Sequence, residues 1–124
     1  MTLRVPGQKW IRDVNVEDFA SRVLSASQQR PVLVDFRAEW CSPCLVLAPV
    51  LAPVLARVVE SYAGALELAK VEVDVGDNMK LAGRYRVRGF PTIILFRQGE
   101  EQGRFSGAQP VSRVRHFVEQ CGGM

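Results

Sequence analysis

The stretch Val32-Leu33-Val34-Asp35-Phe36-Arg37-Ala38-Glu39-Trp40-Cys41-Ser42-Pro43-Cys44 decides both the fold and the chemistry of this chain. Residues 32–36 form an apolar run broken by one carboxylate, the pattern of a central strand covered on both faces. A carboxylate inside such a strand is costly unless it is neutral or paired, which marks Asp35 as a candidate functional group. Ser42-Pro43 then opens a helix, because proline is tolerated in a first turn where its missing N–H had no partner. Cys41 and Cys44 therefore sit at a strand-to-helix junction. A dithiol that cycles needs one accessible nucleophilic sulfur and a second within reach to resolve the mixed disulfide. The free N–H groups and partial positive charge of the helix N-terminus favour thiolate at Cys41. Cys44, a turn further in, is expected to be shielded and to resolve. Pro43 stiffens the loop.

Outward from this junction the pattern alternates. A short strand is expected within 9–14. A helix over 16–27 follows, capped by Asn15 or Asp13, with Phe19 and Val23 on its buried face. The helix that begins at Ser42 continues through Leu47, Leu51 and Leu55, and through Val50, Val54 and Val58, and ends at Tyr62-Ala63-Gly64. Pro49 and Pro53 each remove an internal hydrogen bond and are expected to kink it. Residues 66–74 alternate as a strand, with Leu66, Leu68, Lys70 and Glu72 on one face and Glu67, Ala69, Val71 and Val73 on the other. A short helix over 77–85, a strand over 92–97, a turn at Gln98-Gly99-Glu100 and a hairpin-paired strand over 102–106 follow. A last helix over 110–120 turns Val111, Val114 and Val118 inward and stops at Gly122-Gly123. The order β-α-β-α-β-α-β-β-α predicts an α/β fold: a central mixed sheet with helices on both faces.

The chain has 124 residues, 48% of them hydrophobic, which suits one domain with a core of its own over 1–124. Residues 1–7 and 121–124 read as flexible ends. The net charge of +3 is mild and forms no basic stripe, so neither nucleic acid nor a membrane surface is an expected partner. No apolar run approaches the ~20 residues of a membrane span, and residues 1–10 lack the apolar core of a secretory signal. A soluble cytoplasmic protein is the expectation. Three cysteines do not make a secreted disulfide framework. A zinc site needs about four ligands, and beyond the pair only His116 and Cys121 offer themselves, far along the chain. No metal is expected. Cys121, in Gln120-Cys121-Gly122-Gly123, reads as an exposed tail thiol, incidental or able to form an intermolecular disulfide.

Val34-Asp35-Phe36, Ala38-Glu39-Trp40-Cys41, Pro43-Cys44 and Ala48-Pro49 together resemble the active-site stretch of thioredoxins. Ala69-Lys70, Asp74, Arg88-Gly89-Phe90-Pro91-Thr92, Gly99-Glu100 and Gly107-Ala108 follow in the order of later landmarks of that family. The resemblance implies the thioredoxin fold and a protein-disulfide reductase that maintains cellular redox balance. It implies that Cys41 attacks, Cys44 resolves, the two form the redox disulfide, and Asp35 moves protons for the resolving thiol. Lys70 matches a lysine that approaches this carboxylate, although it reads equally as an exposed strand residue. Trp40 and Pro43 lie beside the site. Pro91 matches a cis-proline, after which the Phe90 backbone would pair with an extended substrate segment. Gly107 matches a glycine of the same groove; otherwise it is a turn glycine. The family implies no bound cofactor, a monomer as the working form, and electrons supplied from NADPH by thioredoxin reductase to disulfide-bearing protein substrates.

The departures are informative. Arg37 stands where thioredoxins usually carry tryptophan, Ser42 replaces the usual glycine, and Leu45 replaces a basic residue. Strand alternation points Arg37 to the side of Asp35, where it would favour the charged form of that carboxylate or of the Cys41 thiolate; otherwise it is a surface residue. Leu45 and Gly107-Ala108-Gln109-Pro110 are similar to the thioredoxin-like part of some bacterial chaperones. A client-binding module with a minor redox role is therefore the alternative function. An oxidase or isomerase would keep the same fold and reverse the electron flow.

Overall fold

The structure, a computed structural model, describes residues 8–38 and 42–124, with the backbone alone at 8 and 42–49. Glu39, Trp40 and Cys41 lie outside the described residues, as do the side chains of Pro43 and Cys44. Strands β1 (Ile11–Asp13), β2 (Val32–Arg37), β3 (Glu67–Glu72), β4 (Thr92–Arg97) and β5 (Glu100–Ser106) form one sheet in the order β1-β3-β2-β4-β5. β1, β3 and β2 are parallel, and β4 and β5 are antiparallel to their neighbours. The helices are α1 (Ser42–Ser61), α2 (Met79–Arg84) and α3 (Val111–Gly122). The mixed sheet with helices on both faces matches the expected class.

Alternation along the strands divides the core in two. Val32, Val34 and Phe36 of β2, with Ala69 and Val71 of β3, face Phe19, Val23, Leu81 and Ala82. Phe19, Tyr85 and Phe96 close this side as a ring cluster, with centroids 5.1–5.8 Å apart. Leu33 and Leu68, each next in sequence to residues of the opposite face, pack beneath Leu51, Leu55 and Val58 of α1 and Val114 and Val118 of α3. Asp35 follows Leu33 by two residues and so points to this second side.

Several local expectations are corrected. The segment after β1 is not a regular α-helix: it turns at 16–18, widens to a π-helix over Ala20–Ser25 and tightens to a 3-10 turn over Ala26–Gln28. Its two ends are anchored to different parts of the molecule, the C-terminal end to the β4–β5 turn and the N-terminal end to Asn78 before α2. At the C-terminal end the Ser27 carbonyl accepts the Gln98 N–H and its hydroxyl accepts the Gly99 N–H. At the N-terminal end Asn15 does not serve as the expected cap; its Oδ1 accepts from Asn78 Nδ2 at 2.9 Å. The Val16 N–H is met instead by Asn78 Oδ1 at 2.8 Å, and Asn78 also donates to the Glu72 carbonyl. α1 continues through both prolines as expected, with Pro53 on its exposed side. Val50 is exposed rather than inward.

α3 runs to Gly122, two residues past the expected end, and Gly123 closes it in the left-handed conformation. This extra length corrects the reading of Cys121 as an exposed thiol. It is half-buried, one turn beyond Phe117, and packs onto β5. A Cβ at Gly103 would come within 2.6 Å of its sulfur, so glycine is needed there for this helix to lie down.

Asn78 is buried and holds three partners in two other segments, Asn15 and Val16 after β1 and Glu72 at the end of β3. Asn78→Ala is expected to lower unfolding stability by about 2–3 kcal/mol, because buried donors and acceptors lose their partners. Val50→Ala, at a position 57% exposed, is expected to stay within about 0.5 kcal/mol of the parent. Urea denaturation of the two variants checks both values.

Candidate active site

The site lies where the parallel strands end and α1 begins, the side of an α/β sheet at which ligand and catalytic groups gather. β2 and β3 run in register, with Asp35 beside Lys70 and Arg37 beside Glu72. Because side chains alternate, all four share the face that carries Leu33 and Leu68. α1 starts at Ser42, five residues after β2 ends, and it carries the backbone of Pro43 and Cys44 in its first turn.

Asp35 is 2% exposed. Its Oδ2 accepts a hydrogen bond from Arg37 Nη2 at 2.7 Å. Oδ1 has no hydrogen-bond partner among the described residues. Arg37 Nε is 3.7 Å from Glu72 Oε1, so the guanidinium lies between two carboxylates. Lys70 Nζ reaches Asp13 Oδ1 of β1 at 3.8 Å. Burial pushes the Asp35 carboxyl above its ordinary range. The Arg37 guanidinium, by charge and by hydrogen bond, and the Lys70 ammonium, by charge, pull it back. The contact expected of Arg37 is therefore present. Lys70 sits beside Asp35 in register but acts on it through charge while it pairs with Asp13.

On the other flank, β4 runs antiparallel to β2, with Asp35 opposite Ile93 and Phe36 opposite Thr92. Pro91 therefore stands at the edge where β2 ends. The Phe90–Pro91 peptide is cis, as the resemblance implied. The Gly107 N–H donates to the Pro91 carbonyl at 3.1 Å, and Gly107 has φ +76°, a conformation that favours glycine. Thr92 Oγ1 donates to the Gly89 carbonyl at 2.6 Å and fixes the same bend. Phe90, Pro91 and Gly107 are thus brought together. Glu72 and Asp13 were not singled out from the sequence. The signal for Glu72 was its place two residues after Lys70 on one strand face.

A Thioredoxin family model matches residues 11–120. The chain belongs to the thioredoxin family. It is similar to the thioredoxin of Pseudomonas aeruginosa, 40% identical over 86% of this chain and 93% of that protein. It is also similar to the thioredoxin of Acidithiobacillus ferridurans, 36% identical over 86% of this chain and 91% of the relative. Thioredoxin C-2 of Corynebacterium nephridii is 38% identical over 84% of this chain and 89% of its own length. The thioredoxin-family chain is a thiol–disulfide oxidoreductase that reduces protein disulfides. The client-binding alternative is not favoured, since these relatives are thioredoxins over most of their length. Among the described residues no helix is long and apolar enough to cross a membrane.

The buried carboxyl carries a stability signature. With its folded pKa above the ordinary 3.8, Asp35 keeps a proton in the folded state that the unfolded chain has already lost. Its contribution is fully present below the unfolded pKa and is lost as pH rises through the folded pKa. Asp35→Asn is therefore expected to gain stability over the parent progressively across that window. Denaturation midpoints of both proteins across the acid-to-neutral range measure this; a constant difference would contradict a raised Asp35 pKa.

Proposed function

We propose that Cys41 and Cys44 are the redox pair of this reductase and that Asp35 is the proton acceptor of its resolving step. The observation that carries this reading is the buried Asp35, held on the α1 side of the sheet at the strand ends from which the Cys41–Cys44 junction departs. In the cycle the Cys41 thiolate attacks one sulfur of a client disulfide. A mixed disulfide forms and one client thiolate leaves. Cys44 gives its proton to Asp35 and attacks the Cys41 sulfur. The Cys41–Cys44 bond forms, the second client thiolate departs, and two electrons have passed to the client. Both client thiolates take up protons.

Lys70 supports the charged form of Asp35 from the neighbouring strand. Trp40, Pro43, Phe90, Pro91 and Gly107 form the surface that receives an extended client segment. The adjacency of Pro91 and Gly107 supports this grouping. The recharging partner is thioredoxin reductase, with NADPH as electron source, and the protein holds no cofactor of its own. The whole chain acts as one domain, a cytoplasmic monomer.

Reduction of a protein disulfide coupled to NADPH and thioredoxin reductase tests the assignment. Turnover in the parent is expected to fall to background in both Cys41→Ser and Cys44→Ser. With Cys44→Ser, a mixed disulfide to the client is expected to accumulate on non-reducing gels, since the resolving sulfur is missing. Turnover retained in either variant would remove that cysteine from the pair.

A further inference from the structure

Arg37 occupies a position where the family usually carries an aromatic residue, yet here it makes the one direct ionic contact to the buried Asp35 among the described residues. Its side chain is 19% exposed and lies between Asp35 Oδ2 at 2.7 Å and Glu72 Oε1 at 3.7 Å. A guanidinium offers several donors in a rigid plane, so one arm fixes an oxygen of the carboxylate while another faces Glu72. Register pairing keeps Arg37 beside Glu72, and the Arg37 carbonyl accepts the Val73 N–H at 2.9 Å, which ties this end of β2 to β3.

We infer that Arg37 is a positioning residue for the resolving step: it holds Oδ2 of Asp35, favours the charged form of the carboxylate against the effect of burial, and leaves Oδ1 to exchange the proton with Cys44. Glu72 anchors the guanidinium from the neighbouring strand. This inference rests on the assignment of Asp35 as proton acceptor. The charged and titratable groups around Asp35 are Arg37 on β2, Lys70 and Glu72 on β3, and Asp13 on β1, which engages Lys70. β4 places apolar Ile93 opposite it. The first part of α1 contributes Cys44 as its one titratable residue before Arg57. Removing the Arg37 charge leaves the burial of Asp35 opposed by Lys70 alone. The carboxyl then holds its proton to higher pH, and it accepts the Cys44 proton less often at any pH below that point.

The test separates the two chemical steps in a Cys121→Ser background. Reduced protein is mixed rapidly with a limiting aromatic disulfide. The first aromatic thiolate leaves on attack by Cys41, and the second leaves when Cys44 resolves the mixed disulfide. Arg37→Gln is expected to slow the second release on the order of tenfold on the acid side and to move its pH profile upward. The first release stays unchanged. Arg37→Lys, which keeps the charge, is expected to restore the profile, and in an Asp35→Asn background Arg37→Gln no longer moves it. Carbon-13 NMR titration of the Asp35 carboxyl, which needs no redox turnover, is expected to move upward in Arg37→Gln. An unmoved Asp35 titration overturns the inference, as does slowing of the first release in place of the second. A moved titration with an unmoved second release shows instead that Asp35 does not serve Cys44, and so overturns the underlying assignment.

Discussion

Asp35 lies two residues beyond Leu33 on a strand buried on both faces, beneath the helix that carries Cys44 in its first turn. A carboxylate in such a place is tolerated only if other charges answer it. The neighbours that answer are placed by strand geometry: Arg37 by the two-residue period of its own strand, Lys70 and Glu72 by parallel register with β3. Asp13 extends the alternation of charge to β1. The result is a short row of opposite charges along one end of the sheet, and its most deeply buried member is Asp35. Burial raises the pKa of this carboxyl, and the two cations oppose that rise.

The sheet topology gives this end its second component. β2 is parallel to β3 but antiparallel to β4, so the end of one central strand adjoins the beginning of the other. The end of β2 and the cis bend at Phe90–Pro91 consequently meet at the same edge, although some fifty residues separate them in the chain. Gly107, at the close of β5, joins them through its bond to the Pro91 carbonyl. A hairpin appended to a parallel core brings three distant segments to one place.

Much of this was readable in the residues. The apolar run at 32–36 announced β2, and the two faces of 66–74 separated as the alternation required, with Leu66 and Leu68 in one core and Ala69, Val71 and Val73 in the other. The contact of Arg37 with Asp35 followed from a period of two. The misreadings share a cause: each depended on partners distant in sequence. Asn15 has the composition of a helix cap, but its side chain is taken by Asn78, sixty-three residues away. The segment Ala20–Ser25 has helical spacing, but it is wound as a π-helix between ends tied to Asn78 and to the β4–β5 turn. Cys121 stands beside two glycines and looks like a tail; the missing side chain at Gly103 is what lets it pack. The cis peptide was legible only through the family resemblance, since no local propensity selects it.

β5 has a neighbour on one side only, and its residues are largely exposed and polar, with Glu100, Glu101, Gln102 and Arg104 in succession around Gly103. Its pairing with β4 is interrupted by a shift at Leu95/Phe96, and Arg104 is bound to Glu101 and to the Tyr85 carbonyl. The opposite rim, β1, is three residues long. Charged, irregular or very short rims resist recruitment of a further strand. A reductase meets extended and partly unfolded chains as its ordinary work, and an open ladder would capture them and seed aggregates. Here the outer rims oppose such growth, so an extended chain finds no open ladder along either side of the sheet.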